Sequence, residues 1–295
     1  MKKINLSLII AAGLLSISCV NNNNNKLKKD LDVEANFAND LNKAKQVFYA
    51  LPSPIETAYL IQSTGVPYTS DFANPVSNST NYSTTMQKAL NFGVYGADLS
   101  YASLFNQTQT TIEYMATTKK MAEELGILEF VNEDIITRIE NNINERDSLM
   151  EIITDGFVGA SEYLKESGRA EVAAMIVAGG WIEGLYLATS LTQLTPNNNR
   201  LVDLVIDQRL SLSILVKLLS NYHDDKNVAK VHGWLLELQE AFNLIKTVQT
   251  DIVSETSTDN NKTTLAAKTD FFINDVVFSS ICNKTDSIRS IIVDF

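Results

Sequence analysis

Two carboxylates stand alone in long uncharged runs. Between Lys88 and Glu113 the only charged residue is Asp98, and between Glu171 and Arg200 it is Glu183. An ionised carboxylate among apolar neighbours must be paired or hydrogen-bonded, or its pKa rises. Aromatic residues flank both: Tyr95 and Tyr101 lie three positions either side of Asp98, and Trp181 and Tyr186 bracket Glu183. Two carboxyls in unlike environments can serve as acid and base on a glycoside, at separations of roughly 5 to 9.5 Å. The pattern predicts a polar pocket between two helices, with Glu56, Tyr68, Tyr95, Asp98, Tyr101, Trp181, Glu183 and Tyr186 as its candidate lining. A structural role is the other reading. In it each carboxylate caps a neighbouring helix or pairs with a buried arginine such as Arg138, Arg146 or Arg169.

Other chemistry is thinly represented. His223 and His232 are nine apart, so on one helix they face opposite ways and form no zinc pair. Asp224-Asp225 reads as a cap for the helix that follows. No Gly-x-Ser-x-Gly elbow occurs, and Gly179-Gly180 falls inside a helical pattern, so it is no phosphate loop. No metal and no cofactor is expected. Cys282 reads as a small apolar core residue, not a nucleophile.

The elements that must position the carboxylates are helical. Four of the five prolines fall between Pro52 and Pro75, and long proline-free stretches with helical periodicity follow. The spacing predicts helices over 30–51, from Pro54 to about Gly65, and over 84–105, 107–125, 133–144, 146–167, 170–194, 200–222, 226–254 and 264–293. Ser53, Pro54 and Glu56 form a capping box with proline at its first helical position. Gly65, Gly126 and Gly168 are the expected helix stops. Residues Val66 to Ser83 are the longest irregular stretch, of a length that is often functional or covers something. Ala89, Gly93 and Ala97 repeat at spacing four, as do Gly180, Gly184 and Ala188, so the two helices are expected to pack small face to small face. Glu183 at mid-span argues against a transmembrane role for 172–194. The expected fold is all-α: one domain over 30–295, a bundle or array of about nine to ten helices without a sheet.

The amino terminus reads as an address. Lys2 and Lys3 precede an apolar stretch from Ile4 to Ile17, and Ser18-Cys19 follows. The ending Leu15-Ser16-Ile17-Ser18-Cys19 resembles a bacterial lipobox, although Ser16 stands where leucine is usual. That resemblance implies a signal peptide over 1–18, with Cys19 lipidated as the new first residue; two acyl chains anchor stably where one does not. Residues 19–29, with five consecutive asparagines from Asn21, read as a polar tether. Position 20 is valine, not the aspartate of inner-membrane retention. No acidic cluster follows Cys19 to signal surface export, so the periplasmic face of the outer membrane is expected. With 24 Lys+Arg against 35 Asp+Glu the net charge is −11, which argues against nucleic acid as a partner.

Three segments carry a wider resemblance: Leu51-Pro-Ser-Pro-Ile-Glu-Thr, Gly93-Val-Tyr-Gly-Ala-Asp-Leu-Ser-Tyr, and Ala178-Gly-Gly-Trp-Ile-Glu-Gly-Leu-Tyr. They are similar to parts of an uncharacterised lipoprotein family of Bacteroidota, over most of the chain from about residue 38. The resemblance implies a location and no activity. Asp147-Ser148-Leu149 and Asp286-Ser287-Ile288 resemble the three-residue O-glycosylation signal of that phylum. Two functions follow as expectations. The first is a lipid-anchored binding or scaffold module for an envelope protein or small ligand, with no chemistry of its own. The alternative is an envelope glycan hydrolase or lyase using Asp98 and Glu183.

Overall fold

Proline, glycine and small polar caps set where the helices begin and end. At Ser53 the side chain accepts from the Glu56 amide at 3.3 Å, and the Glu56 carboxylate accepts from the Ser53 amide at 2.7 Å. That box opens α1, Pro54–Ser63. Thr84 and Gln87 form a second box at the start of α2, Thr85–Leu104. Gly65, Gly126 and Gly168 take φ of 82°, 70° and 74°, a left-handed conformation that side chains oppose. Each stops a helix, as expected.

The computed structural model describes residues 51–131, 133–142, 145–249, 253–257, 262–266 and 269–294. The expected signal peptide, Cys19, the expected tether and the expected first helix, apart from Leu51, lie outside them. After α2 come α3 (Thr108–Leu125), α4 (Glu133–Asn141), α5 (Arg146–Glu166), α6 (Ala170–Leu194), α7 (Asn199–Ser220), α8 (Lys226–Phe242) and α9 (Asp275–Val293). The class is all-α, with the helices packed together. The helix expected over 226–254 stops at Phe242, and the one expected over 264–293 begins only at Asp275. Between them lie four short strands: β1 (Lys246–Gln249), β2 (Val253–Ser257), β3 (Lys262–Ala266) and β4 (Thr269–Phe272). β1 pairs antiparallel with β4, and β2 with β3, as nested ladders. The sequence explains the switch. Val253-Ser-Glu-Thr-Ser and Lys262-Thr-Thr-Leu-Ala are rich in β-branched and hydroxyl residues, which favour pleated backbone over helix. The ladder lies outside the helical body's own sequence, from Leu51 to Phe242 and from Asp275 onward.

α6 is the core helix. It is long and apolar enough to cross a membrane, but 89% of its most apolar window is buried against protein. Its most extensive partner is α2, and α7, α9, α5 and α1 also lie against it. Small residues let α2 and α6 touch backbone to backbone. A Cβ on Gly93 would stand 2.0 Å from the Ile176 carbonyl oxygen, and one on Gly179 would stand 2.0 Å from the Leu90 carbonyl oxygen. The expected small-face contact is present, with one correction at Gly184 and a further close approach at Gly96. Gly184 meets the Thr57 side chain of α1, and Gly96 meets the Phe157 ring of α5.

Candidate functional site

Asp98 on α2 and Glu183 on α6 are both fully buried, and the structure brings them together. Each carboxyl lies within electrostatic reach of the other. The cation that holds Glu183 comes from α9. Arg289 grips Glu183 with two donors, Nε to Oε2 at 3.1 Å and Nη2 to Oε1 at 3.2 Å. Such a fork adds directional specificity to charge attraction. The guanidinium lies 4.5 Å from the centroid of the Tyr186 ring, a cation–π contact on its flank. Phe72 closes edge-on against Tyr186, with ring centroids 6.5 Å apart.

The irregular stretch from Val66 to Ser83 forms a strap over this cluster, with two turns of 3-10 helix at Ser70–Phe72 and Val76–Thr80. Irregular backbone under cover must find partners for its polar groups. Here the helices supply them. The Asn74 amide donates to Asp98 Oδ2 at 3.1 Å, and the Thr69 amide donates to the Tyr101 hydroxyl at 3.0 Å. Tyr95 donates to the Pro75 carbonyl at 2.9 Å and Tyr114 to the Asn74 carbonyl at 3.1 Å. Arg289 Nη2 donates to the Phe72 carbonyl at 3.3 Å. Tyr68, from the strap itself, stacks on Tyr101 at 4.9 Å between centroids. The strap also holds α9: Tyr82 donates to the Val293 carbonyl at 3.2 Å, and Asn91 of α2 donates to the Ile292 carbonyl at 2.8 Å.

The electrostatics follow from burial. Loss of water, then the negative charge of Glu183, holds the Asp98 carboxyl well above the ordinary carboxylate range, against the pull of Arg289. Burial raises Glu183 as well, and Arg289 works in the opposite direction. The phenols of Tyr95 and Tyr114 are raised chiefly by burial, and that of Tyr101 is pushed up to about 12. All three stay protonated and act as neutral donors or acceptors.

Six of the eight residues proposed as pocket lining therefore meet: Tyr68, Tyr95, Asp98, Tyr101, Glu183 and Tyr186. Two do not. Glu56 is exposed and spends its carboxylate on the α1 cap. Trp181 points to α7, where its indole donates to Ser211 at 2.9 Å. The arginine on Glu183 is Arg289, not Arg138 or Arg169; Arg169 instead donates to the Leu125 carbonyl at the end of α3, at 2.8 Å, and the Arg146 side chain lies outside what the structure describes. The signal for Arg289 was present in Ser287-Ile-Arg-Ser-Ile-Ile-Val, where a single charge interrupts an apolar run just as Asp98 and Glu183 do. Asn74, Asn91, Tyr82 and Tyr114 complete the cluster, and only the first and third of these lie in the stretch that sequence marked.

Elsewhere the histidines separate. His223 sits in the turn before α8 and His232 within it, and no cluster able to hold a metal occurs among the described residues. Asp225 caps α8, accepting from the amides of Asn227 and Val228. Cys282 is half-buried, not wholly so, and burial pushes its thiol up to about 11, an unreactive setting. A groove of about 670 Å³ runs between α8 and α9, lined in part by Trp234, Glu237, Asn283, Lys284 and Ser287. It opens on the side of α9 away from Arg289, and it exposes Ser287 of the Asp286-Ser287-Ile288 triplet. Ser148 of the other triplet is half-buried within α5. Comparison with family models, with curated proteins and with solved structures found no match, so the chain stands as an all-helical protein without a recognised family.

Proposed function

We propose that this is a lipid-anchored cell-envelope protein whose helical body is a binding or scaffold module with no chemistry of its own. The observation that carries the second half is the closure of the Asp98–Glu183 pair. The two carboxyls are fully buried, and Glu183 is tied to an arginine. A glycosidase holds its carboxyls roughly 5 to 9.5 Å apart, with the scissile bond between them. Carboxyls sealed this completely from solvent, one of them held by Arg289, leave no opening for a glycan, and this favours the module over the glycan hydrolase or lyase. The anchor rests on the lipobox-like Leu15–Cys19 and the resemblance to Bacteroidota lipoproteins. The same features motivate the periplasmic face of the outer membrane as its place. Its partner there is an envelope protein or a small ligand.

Metabolic labelling with a palmitate analogue tests the anchor. Cys19→Ala should abolish labelling and release the protein from membranes; a labelled mutant would place the anchor elsewhere. Incubation of the mature protein with isolated cell-wall glycan tests the rest. No new reducing ends should form, and release that disappears in Glu183→Gln would overturn the non-catalytic reading.

A further inference from the structure

The buried cluster contains more acid than base. Asp98 and Glu183 face each other from α2 and α6, and Arg289 of α9 is the cation beside them, with two bonds to Glu183, a third to the Phe72 carbonyl and none to Asp98. Asp98 Oδ2 accepts from the Asn74 amide, but Oδ1 is buried with no hydrogen-bond partner. Its neighbour is the Glu183 carboxyl, which offers only acceptors when ionised. Two ionised carboxylates side by side, with an acceptor oxygen unsatisfied, would be a costly arrangement at sites this buried.

We infer that Asp98 and Glu183 hold one proton between them at neutral pH, carried on Asp98 Oδ1 and donated to the Glu183 carboxylate. The body thus contains a proton-binding site that latches α2 to α6. The proton turns a clash of acceptors into a hydrogen bond and leaves one negative charge to balance Arg289. The remaining groups facing the pair agree with this count. They are Tyr95 and Tyr101 of α2, Tyr68 and Tyr82 of the strap, and Tyr114 of α3, with Tyr186 of α6 stacked on Arg289. All five phenols facing the pair are shifted upward, so none contributes charge near neutrality.

The site makes stability depend on pH in a definite direction. In the unfolded chain Asp98 loses its proton near the ordinary value of about 3.9. In the folded protein it keeps the proton to higher pH, so the folded state binds more protons over that window. Stability is full below the ordinary value and declines as pH rises toward the folded one, by about tenfold in the folding equilibrium per pH unit. Beyond it the loss stops growing.

The test uses the full mature chain and two readouts. Infrared difference spectroscopy at neutral pH should show the C=O stretch of a protonated carboxylic acid in the wild type, lost in Asp98→Asn. Urea unfolding across mildly acidic to mildly alkaline pH should show a fall in wild-type stability that Asp98→Asn flattens, because the amide donates to Glu183 at every pH. Glu183→Gln serves as a second variant, and the wild-type spectrum needs no variant at all. A wild type without the acid signal would overturn the proposal. So would a signal that survives unchanged in Asp98→Asn, or equal pH slopes in the two proteins.

Discussion

Within one helix pair, α2 and α6 meet in two different ways. Around Gly93 and Gly179 the backbones touch, because side chains have been removed; a methyl at either would sit 2.0 Å from a carbonyl oxygen. Around Asp98 and Glu183, about a turn further along each helix, polar side chains fill the interface and a third helix must supply the cation. The first contact is complete within the pair. The second is not, and depends on α9 and on the strap. Close packing of small residues is a local solution, whereas buried charge ties distant parts of the chain together and makes their presence a condition of the fold.

The difference can be pressed experimentally, beginning with the charged end. Arg289→Met should destabilise by about 3 to 5 kcal/mol, since it strands Glu183 without its counter-ion. Adding Glu183→Leu should recover much of that loss, which urea unfolding of the single and double variants would measure. If the single variant is neutral, the charged end holds nothing together. At the glycine end, Gly93→Ala should lose about 1 to 3 kcal/mol or somewhat more, because its methyl meets rigid backbone. A thermal midpoint unchanged in that variant would mean the helices are not in contact there. The smallest effect is expected at Gly184→Ala, within about 1 kcal/mol of zero. There the gain in helix propensity opposes contact with Thr57 Cγ2 at 2.7 Å, a side-chain atom and not backbone. A loss as large as that of Gly93→Ala would erase the distinction between backbone and side-chain contact.

Much of this architecture was legible in the sequence because its signals are local. Ser53 with Glu56, and Gly65, Gly126 and Gly168, bound their helices through interactions a few residues long. The isolation of Asp98 and Glu183 marked both as needing partners, since burial of a lone charge is expensive whatever the fold. What the sequence hid was non-local. Nothing in Gly184 itself says that it meets Thr57 of α1 and not α2, because helix rotation is decided by every neighbour at once. Choosing Arg289 over Arg138, Arg146 or Arg169 required knowing that α9 returns to the centre. The helix ends at Phe242 and Asp275 were obscured by apolar residues whose short runs fit either period, and cross-strand pairing decided the matter.

The grip of Arg289 also bears on the order in which the chain is made. It lies 106 residues downstream of Glu183, so a growing chain carries both carboxylates long before their counter-ion exists. The carbonyls of Ile292 and Val293, which Asn91 and Tyr82 bind, are made later still. Helices up to α8 can form early, but the centre cannot close until α9 has been synthesised.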